Sequence, residues 1–183
     1  MTAARPPYLP GDPPPAPDIA AIIRVDHAGE YGAVRIYDGQ LAVLGRGRAR
    51  DEIRRMAEQE KRHLATFDEL LRERRVRPTA LHPVWHVAGY VLGAATAVLG
   101  ERAAMACTVA VEEVIDEHYR DQAERLGENE PALKKTIQEF RADELRHRAA
   151  AIEHGATEAF GYDLITAVVK TGSRLAIWLS TRI

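Results

Sequence analysis

The chain has 183 residues, 46% of them hydrophobic, with 25 Lys and Arg against 27 Asp and Glu and a net charge of −2. That length suits one domain with a sizeable core, and the near-neutral charge gives no electrostatic footprint for nucleic acid. A single cysteine, Cys107, excludes an intramolecular disulfide and any Cys-rich zinc or rubredoxin-type site, and neither a Gly-x-Gly-x-x-Gly nor a Walker A string speaks for a bound dinucleotide or ATP.

Met1 to Pro17 holds seven of the ten prolines and predicts a disordered or extended tail over residues 1–17. It lacks the apolar core of a signal peptide and the repeated arginines of a transit peptide, which points to a reduced, cytosol-exposed chain. Residues 18–183 read as one helical bundle domain with no alternating strand. The first helix is expected from Asp18, as N-cap, to Leu44, with Ile22, Ile23, Val34, Tyr37, Leu41 and Leu44 on or near one face and Gly45 and Gly47 ending it. A second runs from about Arg50 to Arg74, with Ile53, Met56, Phe67, Leu70 and Leu71 as its stripe and Pro78 closing it. A third region spans Val84 to Leu126 with a break expected near Gly100, and Cys107 in its apolar run reads as a small buried thiol. Pro131 opens a fourth helix that Gly155 ends, and a last amphipathic segment covers about Tyr162 to Arg182.

Four acidic residues fall inside these apolar stripes. Glu60-Lys61-Arg62-His63 and Glu144-Leu145-Arg146-His147 are both Glu-x-x-His, with Glu30 placed 30 residues before Glu60 and Glu112 placed 32 before Glu144. With 17 Glu and seven His in the chain, one such match carries little; the weight lies in the same pattern recurring in two similar halves. Residues i and i+3 share a helix face, so each Glu-x-x-His presents a carboxylate and an imidazole to one point. A carboxylate on a buried face costs several kcal/mol unless paired or bound to metal. Two divalent ions balance four carboxylates and leave both histidines neutral, and carboxylate-rich sites with one imidazole per metal suit iron or manganese better than structural zinc. Inward-facing Glu and Glu-x-x-His on four helices are the pattern of ferritin-like di-iron bundles, so the expected fold is all-α: a ferritin-like four-helix bundle with an additional C-terminal amphipathic helix or helices.

Tyr37 follows Glu30 by seven residues, and Tyr119 follows Glu112 by seven, about two turns, so each tyrosine is expected on its own glutamate's face. Each reads either as a core tyrosine with a satisfied hydroxyl or as a phenol serving the metals. Asp26 reads as a surface or helix-start aspartate rather than as an outer partner of a ligand histidine. His27, His82, His86, His118 and His154 lack matching partner positions and read as non-ligands.

Residues 78–100 carry no formal charge, yet the clean apolar part, Val87 to Leu99, is too short to span a bilayer. The last segment sets Leu164, Ile165, Val168, Leu175, Ile177, Trp178 and Leu179 beside Lys170, Arg174 and Arg182, the composition of a helix lying in a membrane surface.

The strings Arg24-Val-Asp-His-Ala-Gly-Glu-Tyr-Gly-Ala33, Arg77-Pro-Thr79 and Ala104-Met-Ala-Cys-Thr-Val-Ala-Val-Glu-Glu113 resemble the demethoxyubiquinone hydroxylase family of ubiquinone biosynthesis, over about Ile22 to Ile183. The resemblance implies a membrane-peripheral di-iron monooxygenase that uses O2 to hydroxylate the ring of a polyprenylated methoxy-benzoquinol, with two iron ions per chain. It implies Glu30 and His63 as terminal ligands of one iron, Glu112 and His147 of the other, Glu60 and Glu144 as bridges, and Tyr119 near the metals in a catalytic role. It also implies an external electron donor, contact with a membrane surface on the cytoplasmic side of a bacterial inner membrane or the matrix side of a mitochondrial one, and association with other ubiquinone-biosynthesis proteins or with further copies. A ferritin-like iron store and a rubrerythrin-like peroxide-handling protein are the competing readings.

Overall fold

The computed structural model describes residues 17–183, which form α1 (Pro17–Val43), α2 (Arg48–Arg74), α3 (His82–Val98), α4 (Glu101–Leu126), α5 (Pro131–Glu153) and α6 (Tyr162–Ser180), with a short 3-10 turn at Ala156–Glu158 before α6. The tail expected over residues 1–17 lies outside the described residues, save that Pro17 itself opens α1. Proline suits that first position because its missing N–H has no partner there in any helix. Asp18 therefore sits in the first turn, where its charge meets the helix dipole, and is not the N-cap.

The third region is two helices. Gly100 takes φ +111, a conformation that L side chains rarely adopt, and separates α3 from α4. The bundle that carries the four glutamates and two histidines is α1, α2, α4 and α5, and the added helices are two: α6 at the C-terminus, as expected, and α3 between the halves. α3 packs along α1, and α6 packs along α4. The described residues are thus two three-helix halves, α1–α3 and α4–α6, which extends the repeat seen in the spacing of the glutamates and histidines. α3 approaches α1 closely because a glycine on each helix admits the backbone of the other: a Cβ on Gly93 would sit 1.9 Å from the Ile36 carbonyl oxygen, and one on Gly39 2.1 Å from that of Tyr90.

Two apolar layers form inside the bundle. One joins Tyr37, Ile53, Met56, Met105, Val109 and Ala151; the other joins Ile22, Ile23, Phe67, Leu71, Tyr119, Leu133 and Ile137. Each layer draws on one end of all four bundle helices, so the middle of every helix lies between them. Cys107 is fully buried, and burial pushes its thiol up to about 12, which leaves it an inert packing group. Arg24 at the start of the first string donates through Nε to the Arg77 carbonyl (3.1 Å), and Arg74 grips Glu130 with both guanidinium nitrogens (3.1 and 2.9 Å). These contacts fasten the α2–α3 turn to α1 and the end of α2 to the α4–α5 turn.

No helix among the described residues is long and apolar enough to cross a membrane. Apolar side chains nonetheless face outward along α3 (Val84, Val87, Val91, Val98) and α6 (Leu164, Val168, Leu175, Trp178). Lys170 and Arg174 are turned toward α4, onto Glu113 and Glu117, and Arg182 lies over the Trp178 ring. Two of the three expected flanking cations therefore tie α6 to the bundle.

Candidate metal centre

At the midpoint between the two apolar layers stand Glu30, Glu60, His63, Glu112, Glu144 and His147, none more than 4% exposed. The i, i+3 spacing on α2 and α5 aims each Glu-His pair inward, and α1 and α4 add one glutamate each. The structure gathers them into two overlapping groups, Glu30, Glu60, His63 and Glu144, and Glu60, Glu112, Glu144 and His147, with the candidate ligand atoms of each group within 4.8 Å of one another.

Both groups share Glu60 and Glu144, and the atoms show how. His63 Nδ1 lies 3.7 Å from Glu60 Oε2 and 3.2 Å from Glu144 Oε1; His147 Nδ1 lies 3.0 Å from Glu60 Oε1 and 3.3 Å from Glu144 Oε2. Each of these two carboxylates sends one oxygen to each histidine. Glu30 approaches only His63 (3.5 Å) and Glu112 only His147 (3.9 Å).

Eight atoms of these six residues are buried with no hydrogen-bond partner: Glu30 Oε2, both oxygens of Glu60 and of Glu144, Glu112 Oε2, and Nδ1 of each histidine. Buried polar atoms are otherwise almost always satisfied. The orphans all point into one space, and they are oxygen and imidazole donors, the set that iron and manganese accept. The donor set fits two divalent ions.

Protons hold the cluster together when metal is absent. Burial, then the charges of Glu60 and Glu144, raise the Glu30 carboxyl well above the carboxylate range; burial, Glu144 and Glu60 do the same to Glu112. Burial alone would lower His63, but the Glu144, Glu30 and Glu60 carboxylates outweigh it and hold the ring up to about 12; His147 is held up to about 9 in the same way. Burial raises Glu60, but the Nδ1 atoms of His147 and His63, 3.0 and 3.7 Å from its oxygens, outweigh it and hold the carboxyl down to about 2. Divalent ions would displace the protons from both imidazoles.

The tyrosines do not serve their own glutamates. Tyr37 donates to Glu112 Oε1 (2.5 Å) and Tyr119 donates to Glu30 Oε1, so each phenol crosses to the other half of the repeat. Burial and the neighbouring carboxylates raise both phenols well above their ordinary value and keep them as donors. Asp26 is not at the surface. It is 2% exposed and held by Gln122 Nε2 (2.7 Å) and His118 Nε2 (3.3 Å), none of them a member of the six-residue cluster. The outer partners of the two cluster histidines are Asp143 (3.0 Å from His63 Nε2) and Gln59 (3.3 Å from His147 Nε2), which the sequence reading missed. A signal was present: each immediately precedes the glutamate of a Glu-x-x-His. Glu113, next to Glu112, is turned outward and ion-paired with Arg148 (2.7 Å) and Lys170. Its charge is met by cations, whereas that of Glu112 faces the cluster.

A cavity of about 400 Å³ runs between α1, α3, α4 and α6, walled almost wholly by apolar side chains. Glu30 and Tyr119 line it, as do Asp26, one turn from Glu30, and His118; Val168 and Leu175, both on the exposed face of α6, line it too. The cavity thus joins the cluster to the outward apolar surface.

Residues 17–180 match the sequence model of the family described as Ubiquinone biosynthesis protein COQ7. The chain belongs to the COQ7 family. It is 57% identical over 176 residues to the 3-demethoxyubiquinol 3-hydroxylase of Rhodospirillum rubrum, covering 96% of this chain and 83% of that one. Against the mitochondrial NADPH-dependent 3-demethoxyubiquinone 3-hydroxylase of Homo sapiens it is 51% identical over 166 residues, with 88% and 76% covered. Against the mitochondrial 5-demethoxyubiquinone hydroxylase of Saccharomyces cerevisiae it is 41% identical over 179 residues, with 88% and 77% covered. The family resemblance carried by the Arg24 and Ala104 strings is therefore confirmed.

Proposed function

We propose that this protein is a di-iron monooxygenase that hydroxylates the ring of a polyprenylated methoxy-benzoquinol in ubiquinone biosynthesis. Glu30 and His63 would hold one iron, Glu112 and His147 the other, and Glu60 and Glu144, which belong to both groups, would serve both. The observation that carries this reading is the cluster of eight orphaned donor atoms at the inner end of an apolar cavity. An iron store or a peroxide-handling protein has no use for such a cavity, and the relatives are named as hydroxylases acting on demethoxyubiquinone or its quinol.

Two ferrous ions held in this cluster would supply the reducing electrons and O2-activating chemistry that side chains lack. The chain's own groups do the rest. The cavity removes the ring and tail from water and sets the ring against Glu30 and Tyr119. Tyr119 and Tyr37 hold Glu30 and Glu112 by one oxygen each, leaving Oε2 of both free to face the metals. Asp26 Oδ2, buried without a partner, and His118 beside it are suited to accept a hydrogen bond from a quinol hydroxyl. The outward apolar faces of α3 and α6 rest on the bilayer and admit the isoprenoid tail from it, a peripheral attachment. Electrons come from an external donor, which several relatives' names give for those proteins as NADPH.

The test is direct. Protein loaded with iron, supplied with a reductant, a demethoxyubiquinol analogue and isotopically labelled O2, is expected to place one labelled oxygen atom on the ring. Product without the label, or iron well below one ion per chain after expression with ample iron, would overturn the proposal.

A further inference from the structure

The two halves of the cluster match in their carboxylate and phenol contacts. Tyr119 holds Glu30 and Tyr37 holds Glu112; Glu60 and Glu144 each give one oxygen to either histidine. Behind the histidines the match fails. His63 Nε2 donates to the Asp143 carboxylate at 3.0 Å, and His147 Nε2 donates to the Gln59 amide oxygen at 3.3 Å. Asp143 and Gln59 occupy the same register, one residue before Glu144 and Glu60, and each reaches across to the histidine of the other half.

The chemistry of the acceptor reaches the opposite ring nitrogen. An imidazole whose far N–H is held by a carboxylate carries more electron density on its free nitrogen than one held by a neutral amide, and is the stronger ligand. A full negative charge behind the ring also attracts a divalent ion in front of it, and the Asp143 side chain is only 16% exposed, so water screens it weakly. Arg146 pairs with the other Asp143 oxygen, but its own side chain is 68% exposed, so this pairing reduces the effect without cancelling it. Phe140 stacks on the His63 ring at 3.9 Å and 18°, fixing its plane.

We infer that the two metal positions are inequivalent: the one at Glu30 and His63, backed by Asp143, binds a divalent ion more tightly and fills first, and the one at Glu112 and His147, backed by Gln59, fills second. Asp143 and Gln59 are positioning residues that set the order of loading. This rests on the reading of the six residues as ligands.

The experiment is an anaerobic titration of the metal-free full-length protein with Co2+ against a competing chromophoric chelator. Two equivalents are expected in two steps separated by about ten- to a hundredfold in affinity, the usual reach of an outer-shell partner. Gln59→Glu is expected to tighten the weaker step by about tenfold and bring the two together, while Asp143→Asn loosens the tighter step by a similar factor. His147→Ala should abolish the weaker step and leave the tighter one. Circular dichroism and melting of the metal-free variants separate loss of affinity from loss of fold, and Gln59→Glu reports on its own should Asp143→Asn fail to fold. Two equivalents bound with equal affinity, or a Gln59→Glu variant that leaves both steps unchanged, would overturn the inference while leaving the metal centre intact. No Co2+ bound at either position would overturn the metal-centre reading and this inference with it.

Discussion

Replacing Leu164 and Trp178 together with Asp tests the proposed membrane face of α6 without touching the cavity, which neither residue lines. The two are fourteen residues apart, nearly four turns, so they share a face. Leu164 is 70% exposed and Trp178 51%, so half or more of each side chain remains to be buried in lipid. Complete burial of such a side chain stabilises by about 1.5–3 kcal/mol, so the pair forfeits about 3 kcal/mol, on the order of a hundredfold in membrane partitioning. The added carboxylates widen that loss. Flotation with liposomes measures it, read beside iron content and activity on a short-chain quinol in solution. The variant is expected to stay out of the lipid fraction, to keep its iron, since Glu30, Glu60, His63, Glu112, Glu144 and His147 lie on other helices, and to keep its activity on the soluble quinol. Activity on a long-tailed quinol in vesicles should fall sharply. Flotation equal to that of the unaltered protein would refute the assignment of this face.

Further outcomes follow from the same geometry. Glu144→Gln should weaken both metal positions and abolish activity, whereas Glu113→Gln, which loses only partly exposed ion pairs worth about 1 kcal/mol, should keep iron and most activity; equal loss of iron in the two would show the adjacent glutamates were misassigned. Metal-free protein should melt at lower temperature as pH rises from 7 to 9: His147, at about 9, and His63, at about 12, are raised on folding, so their contribution is full below about pH 6.5 and is lost as pH climbs through the folded values, and the raised Glu30 and Glu112 act with the same sign. Iron-loaded protein should lack this slope, and a metal-free melting temperature that rises over that range would refute the proton-held cluster. Gly93→Ala sets a Cβ 1.9 Å from the Ile36 carbonyl and should cost about 1–3 kcal/mol, seen as a melting temperature several degrees lower. Gly172→Leu meets nothing within 4 Å of its Cβ and projects toward the cavity it lines, so it should fold normally, keep its iron and raise KM for the quinol; an unchanged KM would place the substrate elsewhere.

The helices and the faces that carry the six candidate ligands were legible because both depend on local spacing. Apolar residues at a 3.6 period mark a buried stripe, and Glu60 with His63, or Glu144 with His147, share a face by i, i+3 geometry alone. The family resemblance implies Glu112 rather than its neighbour Glu113, and only the structure shows Glu113 turned outward onto Arg148 and Lys170. Asp26 misled because a polar residue near a helix start is usually exposed, and nothing local shows that Gln122 and His118, from another helix, enclose it.

Periodicity, composition and the doubled Glu-x-x-His pattern by themselves determined an all-α chain with six metal-binding candidates on four helices. Only the tertiary structure decided that α3 and α6 flank the bundle, that Tyr37 and Tyr119 cross to each other's glutamates, and that Asp143 and Gln59 stand behind the cluster histidines. The cavity between α1, α3, α4 and α6 was likewise invisible in the sequence. The reason is physical: a helix and its apolar face are fixed by neighbours within two turns, but which helix meets that face is fixed by packing between residues 75 to 95 positions apart.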